Sequence, residues 1–357
     1  MRNRFLVLTG TCAAAIAIVA VAPVRMAGQA RSPIPRTPDG HPDLSGMYDL
    51  AMLTPLERPA RLPAVLSDAE AAKLERDIAI QEQKARAPIR GEREAPPKGG
   101  DGSIGPAGNV GGYNTFWIDR GTHYSIVDGQ KRSSIVVDPP DGRVPPLTAE
   151  ARRRAASRLG AAARPTSDAS ESRVPGLEPP GSYDDPERRP LGERCLLGFG
   201  STSGPPVLPN YFYNNLHQIV QTPDTVVIHT EMVHDARIVR MDAPHLPAAI
   251  RKWMGDSVGH WEDDTLVVDT TNVTEETRYR GSTAGLHVVE RFTRVDGRSL
   301  KYRFTIEDSA TWATPWTGEY TWPMTEERMF EYACHEANYA LGGILSGARL
   351  REKEMKN

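Results

Sequence analysis

Imidazole and carboxylate side chains recur together three times in the C-terminal half of this chain. The groupings are His229-Thr-Glu231-Met-Val-His234-Asp235-Ala-Arg237, His287-Val-Val-Glu290-Arg291 and Cys334-His335-Glu336-Ala-Asn338. These are the side chains that move protons or hold metals near neutral pH. In an acid–base site, Glu290 or Glu231 would be the working carboxylate and His234 or His335 its proton partner. Arg237 would stabilise developing charge. Aromatic faces beside acids and arginines suit a sugar ring or a planar phenol. That adds Trp117, Asp119, Arg120, Trp316 and Asn338 as substrate contacts. No nucleophile elbow, phosphate loop or standard zinc signature accompanies them, so neither a cofactor nor a metal is expected. One alternative stays open: His229-x-Glu231 with a distant histidine would make a metal-binding triad on a barrel wall.

Each residue also has a plain structural reading. Glu290 alternates with Leu286, Val288 and Phe292 on the apolar face of its segment. A carboxylate there is either pushed towards its neutral form or paired, with Arg237 or Arg291 as the partner. His229 reads as an exposed strand histidine. His335 and Glu336 are adjacent and point apart on a strand, so at most one enters a cavity. His335 is equally well explained as a packed core residue.

Short strands must carry these groups. Leu300-Lys-Tyr302-Arg-Phe304-Thr-Ile306 alternates apolar and polar as a half-exposed strand does. Val226–Met232, Ala236–Met241, Thr265–Thr270 and Leu286–Phe292 read the same way, with a helix-like interruption near Leu246–Met254. Ser125–Val127 and Ser134–Val137 flank the turn Asp128-Gly129. Trp312, Trp316, Tyr320 and Trp322 read as a cluster in a Pro-containing loop. Many short strands between turns predict a mainly β fold, an antiparallel barrel of about eight to ten strands, because closure removes edges.

Residues 31–112 read as an extended arm, one helix and a Gly/Pro-rich loop, and residues 113–357 as the barrel domain. Ser67-Asp-Ala-Glu70 is a capping box that starts the helix, which Pro88 stops. A second short helix follows Thr148, and residues 164–190 read as a mobile insertion.

Arg2 and Arg4 ahead of an apolar run, with Gly28 and Ala30 at its end, read as a secretory signal peptide over residues 1–30. Its removal takes three arginines and no acid, so the net charge moves from −3 to −6. Nothing basic is left to follow a nucleic-acid backbone, and no stable membrane anchor is expected. Cys195 and Cys334 then remain, and in an oxidising compartment they most simply form one disulfide.

The chain resembles a widespread family of secreted bacterial proteins that brings no established reaction with it. The segments carrying the resemblance include Leu53-Thr-Pro-Leu-Glu-Arg-Pro59, Val137-Asp-Pro-Pro-Asp-Gly142, His234-Asp-Ala-Arg237, His287-Val-Val-Glu-Arg291 and Tyr332-Ala-Cys-His-Glu336. Gly46-Met-Tyr48 and Gly259-His-Trp261 are faintly similar to the Gly-x-Trp entry of lipocalin-like barrels, which implies a calycin-type cup. The expectation is a periplasmic or secreted enzyme doing metal-independent elimination or hydrolysis on a small glycoside or aromatic natural product. A non-catalytic ligand-binding barrel is the alternative, and a metal-dependent His/Glu enzyme a second.

Overall fold

Period-two alternation builds the main sheet of this molecule. The computed structural model describes residues 34–85, 118–162, 183–199, 203–210, 213–277, 279–336 and 338–354. The signal-peptide segment, Trp117, the 88–112 loop and most of the 164–190 insertion lie outside them. Strand β1 is Gly46–Asp49, and β2 (Val65–Leu66), β3 (Ile126–Val127) and β4 (Gln130–Arg132) make a small separate sheet. The remaining strands are β5 (Val136–Asp138), β6 (Leu216–Gln221), β7 (Thr225–Thr230), β8 (Ala236–Met241) and β9 (Asp256–Glu262). They continue with β10 (Thr265–Thr271), β11 (His287–Arg294), β12 (Ser299–Glu307) and β13 (Trp316–Pro323).

The main sheet has ten strands in the order β1-β6-β7-β8-β9-β10-β11-β12-β13-β5. All neighbours are antiparallel except β8 and β9, which run parallel. A parallel pair needs a crossover rather than a tight turn, and residues 242–255 supply it. That crossover holds turns, not the helix expected over Leu246–Met254. Pro244 and Pro247 interrupt it, and its amides bond across to the sheet, as Lys252 N does to Asn272 O at 3.0 Å.

The sheet curls into an open half-barrel, not the closed lipocalin-like barrel that the alternation suggested. Its outer strands meet at an isolated antiparallel bridge between Tyr48 and Met324, just past the end of β13. The short β5 occupies the opposite end of that edge, pairing with Thr317 and Gly318. The arm is not merely decoration: Gly46–Asp49 is itself an edge strand of the sheet, in register with β6.

Alternation is cleanest on β11 and β12. Val288, Glu290, Phe292 and Arg294 turn inwards, as do Leu300, Tyr302, Phe304 and Ile306. β13 continues the pattern with Trp316, Gly318, Tyr320 and Trp322, so of the aromatics expected in a loop Trp316, Tyr320 and Trp322 are core residues of a strand, while Trp312 precedes it. Gly318 lies opposite Phe304 in register, and a Cβ there would meet the Phe304 ring at 2.2 Å. The ring lies where the side chain would be and is fully buried, so it has no room to yield. Gly318→Ala is therefore expected to cost about 1–3 kcal/mol through overpacking. A lowered denaturation midpoint with an unchanged slope would show it, and an unchanged midpoint would refute it.

Among the described residues three α-helices lie outside the sheet. α1 (Asp68–Ala85) starts at the expected capping box, with Ser67 Oγ bonded to Glu70 and Glu70 N bonded back to Ser67 Oγ. α2 (Ala149–Ala162) is capped by Thr148 Oγ1, which accepts from Ala151 N at 3.0 Å. α3 (Tyr339–Glu354) ends the described chain and buries none of its residues fully. No helix among the described residues is long and apolar enough to cross a membrane.

Candidate functional site

Five inward-facing side chains from five strands form a connected circuit inside the half-barrel. Arg237 on β8 makes a two-pronged ion pair with Glu290 on β11, with Nη2 donating to Oε1 at 2.9 Å and Nη1 to Oε2. Tyr302 on β12 donates its hydroxyl to the same Glu290 Oε1 at 2.6 Å. The Tyr302 ring lies 5.1 Å from that of Trp322 on β13, and Trp322 lies 5.5 Å from His217 on β6. The charge of Arg237 is also felt at His217, where it lowers the pKa. All five are buried, His217, Glu290, Tyr302 and Trp322 entirely.

His217 is the group in this circuit with chemistry to spare. Its Nδ1 lies 3.0 Å from the Asn215 carbonyl, an oxygen that can only accept. Nδ1 must therefore carry the proton, which leaves Nε2 with a lone pair. Nε2 is buried and has no hydrogen-bond partner among the described residues. Burial, aided by the Arg237 and His229 charges, lowers the His217 pKa to about 4. The imidazole is thus neutral, a proton acceptor, across the physiological range. Tyr302 is pushed the other way, well above the usual phenol value, by burial and by the Glu290 charge. It remains a donor.

A strap of chain lies over this circuit. Within Ser203–Asn210, Val207 is fully buried; its amide donates to the Tyr302 hydroxyl at 3.0 Å and its carbonyl accepts from Tyr320 at 2.9 Å. The strap is pinned at its end by Asn210, whose amide donates to Asn215 Oδ1 and whose side chain donates to Asn214 O. Asn215 reaches on to the backbone carbonyl of Asp119 at 3.0 Å, which ties the end of the strap to the 118–125 segment.

The residues singled out in the sequence divide sharply. Glu290 and Arg237 come together, in the ion pair that was the plain reading of Glu290. His234 does not join them: it is exposed on a short turn with φ +47, and Asp235 beside it turns inwards to accept from Gly198 N at 3.0 Å. Glu231 is buried, but its Oε1 accepts from Phe330 N at 2.9 Å and ties down the C-terminal tail. β7 stops at Thr230, so Glu231 opens the turn and does not share a strand face with His229 as expected. The metal triad based on that shared face is therefore not assembled. Among the described residues no three His, Cys, Asp or Glu side chains gather in a metal-holding arrangement.

His335 and Glu336 are exposed in a turn before α3, not on a strand. Asn338 donates to Glu193 O at 3.3 Å and to Cys195 Sγ at 3.8 Å, a tether for the tail. The Cys195–Cys334 disulfide forms as expected. Asp119 is exposed and accepts from Gly121 N, and Arg120 is half-buried beside it. Trp316 is fully buried against Phe304 and Trp312, so it packs the core. His217, Tyr302 and Trp322 were missed as a site. The alternation His217, Ile219, Gln221 marked the right face, but it names a strand only once its partners are known.

A second histidine–acid network lies on the outer face of the same sheet. His287 Nε2 bonds Asp269 at 2.9 Å and its Nδ1 lies 3.4 Å from Glu307. His245, in the β8–β9 crossover, spans from Asp256 to Asp269 at 3.1 Å on each side. Both rings have carboxylates at both nitrogens, which spends every proton position and leaves no base. The bond to Asp269 raises the His287 pKa. Asp269 is lowered despite its partial burial, because His287 and His245 bond it. The histidine's contribution is full below about pH 6.5 and is lost as pH rises through its raised value; that of Asp269 is lost on acidification below about pH 4. Wild-type stability should therefore fall as pH rises above about 6.5 and through the raised His287 value, and His287→Asn should flatten that slope. Urea titrations at three pH values test this, and an identical slope in the variant would refute it.

Compared with protein-family models, curated proteins and solved structures, the chain matches none.

Proposed function

We propose that this protein is a secreted or periplasmic enzyme performing acid–base chemistry, elimination or hydrolysis, on a small hydroxylated or aromatic molecule, with His217 as the proton acceptor. What carries the reading is the buried Nε2 lone pair of His217, oriented by the Asn215 carbonyl and within the influence of the Arg237 charge. A general base needs a fixed tautomer and a lone pair, and an anion forming beside it needs a cation held in place. Arg237 supplies the cation; Glu290 and Tyr302 act as positioning residues that hold it. A proton acceptor with so low a pKa is weak at rest. Negative charge developing on a substrate would raise its proton affinity at the moment of transfer. The disulfide is consistent with an extracytoplasmic location.

His217→Asn tests this directly, because the Asn amide can still donate to the Asn215 carbonyl while the Nε2 position is lost. Proton NMR of glycoside and phenolic substrates incubated with the enzyme should show turnover lowered on the order of 10²–10⁴-fold in the variant. Its thermal midpoint should stay close to wild type. A wild-type rate in His217→Asn removes the imidazole from the chemistry.

One observation favours a second reading, a non-catalytic ligand carrier. The circuit is fully covered and the Val207 peptide already occupies the hydroxyls of Tyr302 and Tyr320. A carrier would bind and release its ligand unchanged, so saturable binding with no product in the same NMR assay would favour it.

A further inference from the structure

Three polar atoms of the circuit have no hydrogen-bond partner among the described residues: His217 Nε2, Arg237 Nε and Trp322 Nε1. Each belongs to a side chain at least nine-tenths buried, where an unpaired polar atom is expensive and calls for an explanation. Their chemistry differs. Arg237 Nε and Trp322 Nε1 can only donate. His217 Nε2 can only accept, because the Asn215 carbonyl fixes the proton on Nδ1. The circuit therefore offers two donors and one acceptor.

The complementary ligand group has one hydroxyl to give to His217 and one oxygen able to take two hydrogen bonds, from Arg237 and Trp322. A carbonyl oxygen has two lone pairs and fits the second demand. Charge narrows the class further. Arg237 and Glu290 neutralise one another and His217 is neutral, so the circuit has no net charge. A carboxylate brought here would be buried without a counter-ion, which is costly. The rings of Tyr48, Phe292 and Tyr302 pack around Trp322, with centroids 5.9, 5.4 and 5.1 Å away, so the surroundings of the three atoms are largely aromatic and favour an apolar remainder on the ligand.

We infer that the ligand of this site is an uncharged hydroxy-carbonyl compound, whose hydroxyl is read by His217 and whose adjacent carbonyl oxygen is read by Arg237 and Trp322. This deepens the acid–base reading and rests on it.

The test uses full-length protein labelled with ¹⁵N-histidine, with the His217 resonance identified by its loss in His217→Asn. Two sets of probes are titrated: hydroxyacetone, acetone and propane-1,2-diol, then 2-hydroxyacetophenone, acetophenone and 1-phenyl-1,2-ethanediol. Glycolate serves as the charged comparator. The expected result is a saturable shift of the His217 signal with a hydroxy-ketone. Compounds lacking either the hydroxyl or the carbonyl, and glycolate, should need on the order of tenfold higher concentration, as one lost hydrogen bond implies. Trp322→Phe keeps the ring and removes the N–H, and should weaken hydroxy-ketone binding by about the same factor. Equal affinity for acetophenone and its 2-hydroxy derivative, tighter binding of glycolate, or no His217 response to any hydroxy-ketone overturns the inference. If that happens while His217→Asn still loses turnover of another substrate, the substrate class is wrong and the acid–base reading stands. If His217→Asn turns over as wild type does, the acid–base reading itself has failed.

Discussion

Replacing Glu290 with Gln is expected to cost about 3–5 kcal/mol of stability, and replacing Arg237 with Met about as much. Each change strands the other member of a pair that lies wholly inside the half-barrel. In Arg237→Met the carboxylate keeps only the Tyr302 hydroxyl. In Glu290→Gln the guanidinium keeps its charge with nothing to balance it. Changing both, to Met and Leu, should recover most of the loss, because apolar side chains of similar volume satisfy the same space. The double-mutant cycle is read from urea titrations of four proteins, and a strongly non-additive result is expected. Singles that cost under about 1 kcal/mol would mean that water reaches the pair and that the interior is far wetter than the burial implies. The outcome also bears on function. A fold that depends on this pair commits Glu290 to holding Arg237, and the proton-transfer role then passes to His217.

Cleaving the Cys195–Cys334 disulfide should have the next largest effect. The two cysteines are 139 positions apart, and closing so long a loop removes on the order of 5 kcal/mol of unfolded-state entropy in the chain-entropy model. Denatured-state structure reduces that figure in practice. The local consequence is more specific. Past β13 the tail is held to the sheet by Thr325 N to Met47 O, Phe330 N to Glu231 and Asn338 to Glu193 O. Cys195→Ser/Cys334→Ser should therefore lower the melting temperature and make residues 331–354 the first site of limited proteolysis. A variant that melts with the wild type and resists protease at the tail would show that these few bonds suffice without the disulfide.

Much of the sheet was legible because one face is buried. β8, β10, β11 and β12 stand within two residues of where alternation put them. β13 was misread because Pro315 and three large aromatics look like a loop, although the period-two spacing of Trp316, Gly318, Tyr320 and Trp322 was present. β6 and β9 lack a long apolar alternation, since His217, Gly259 and Trp261 sit at their inward positions, and they were not recognised. Closure was misjudged because strand count says nothing of direction: the β8–β9 parallel pairing appears only once the crossover is traced. The Arg237–Glu290 contact was foreseeable as one of two choices. Its Tyr302 and His217 neighbours were not: Tyr302 sits on the hairpin partner of the Glu290 strand, 12 residues on, but alternation alone does not say which facing side chains bond, and His217 joins only through sheet order.

The parallel seam between β8 and β9 divides the sheet into two antiparallel runs, β1 with β6–β8 on one side and β9–β13 with β5 on the other. Each run consists largely of neighbours in sequence and can form by local hairpins, whereas the seam joins only three residue pairs, Val239–Ser257 to Met241–Gly259. His217 and Arg237 belong to the first run; Glu290, Tyr302 and Trp322 belong to the second. The circuit therefore has no existence in either half. Assembling it requires the two runs to come together, which is what brings the charges of Arg237 and Glu290 into contact. A ligand that engages both halves would act as a staple across the seam, slowing the separation of the halves.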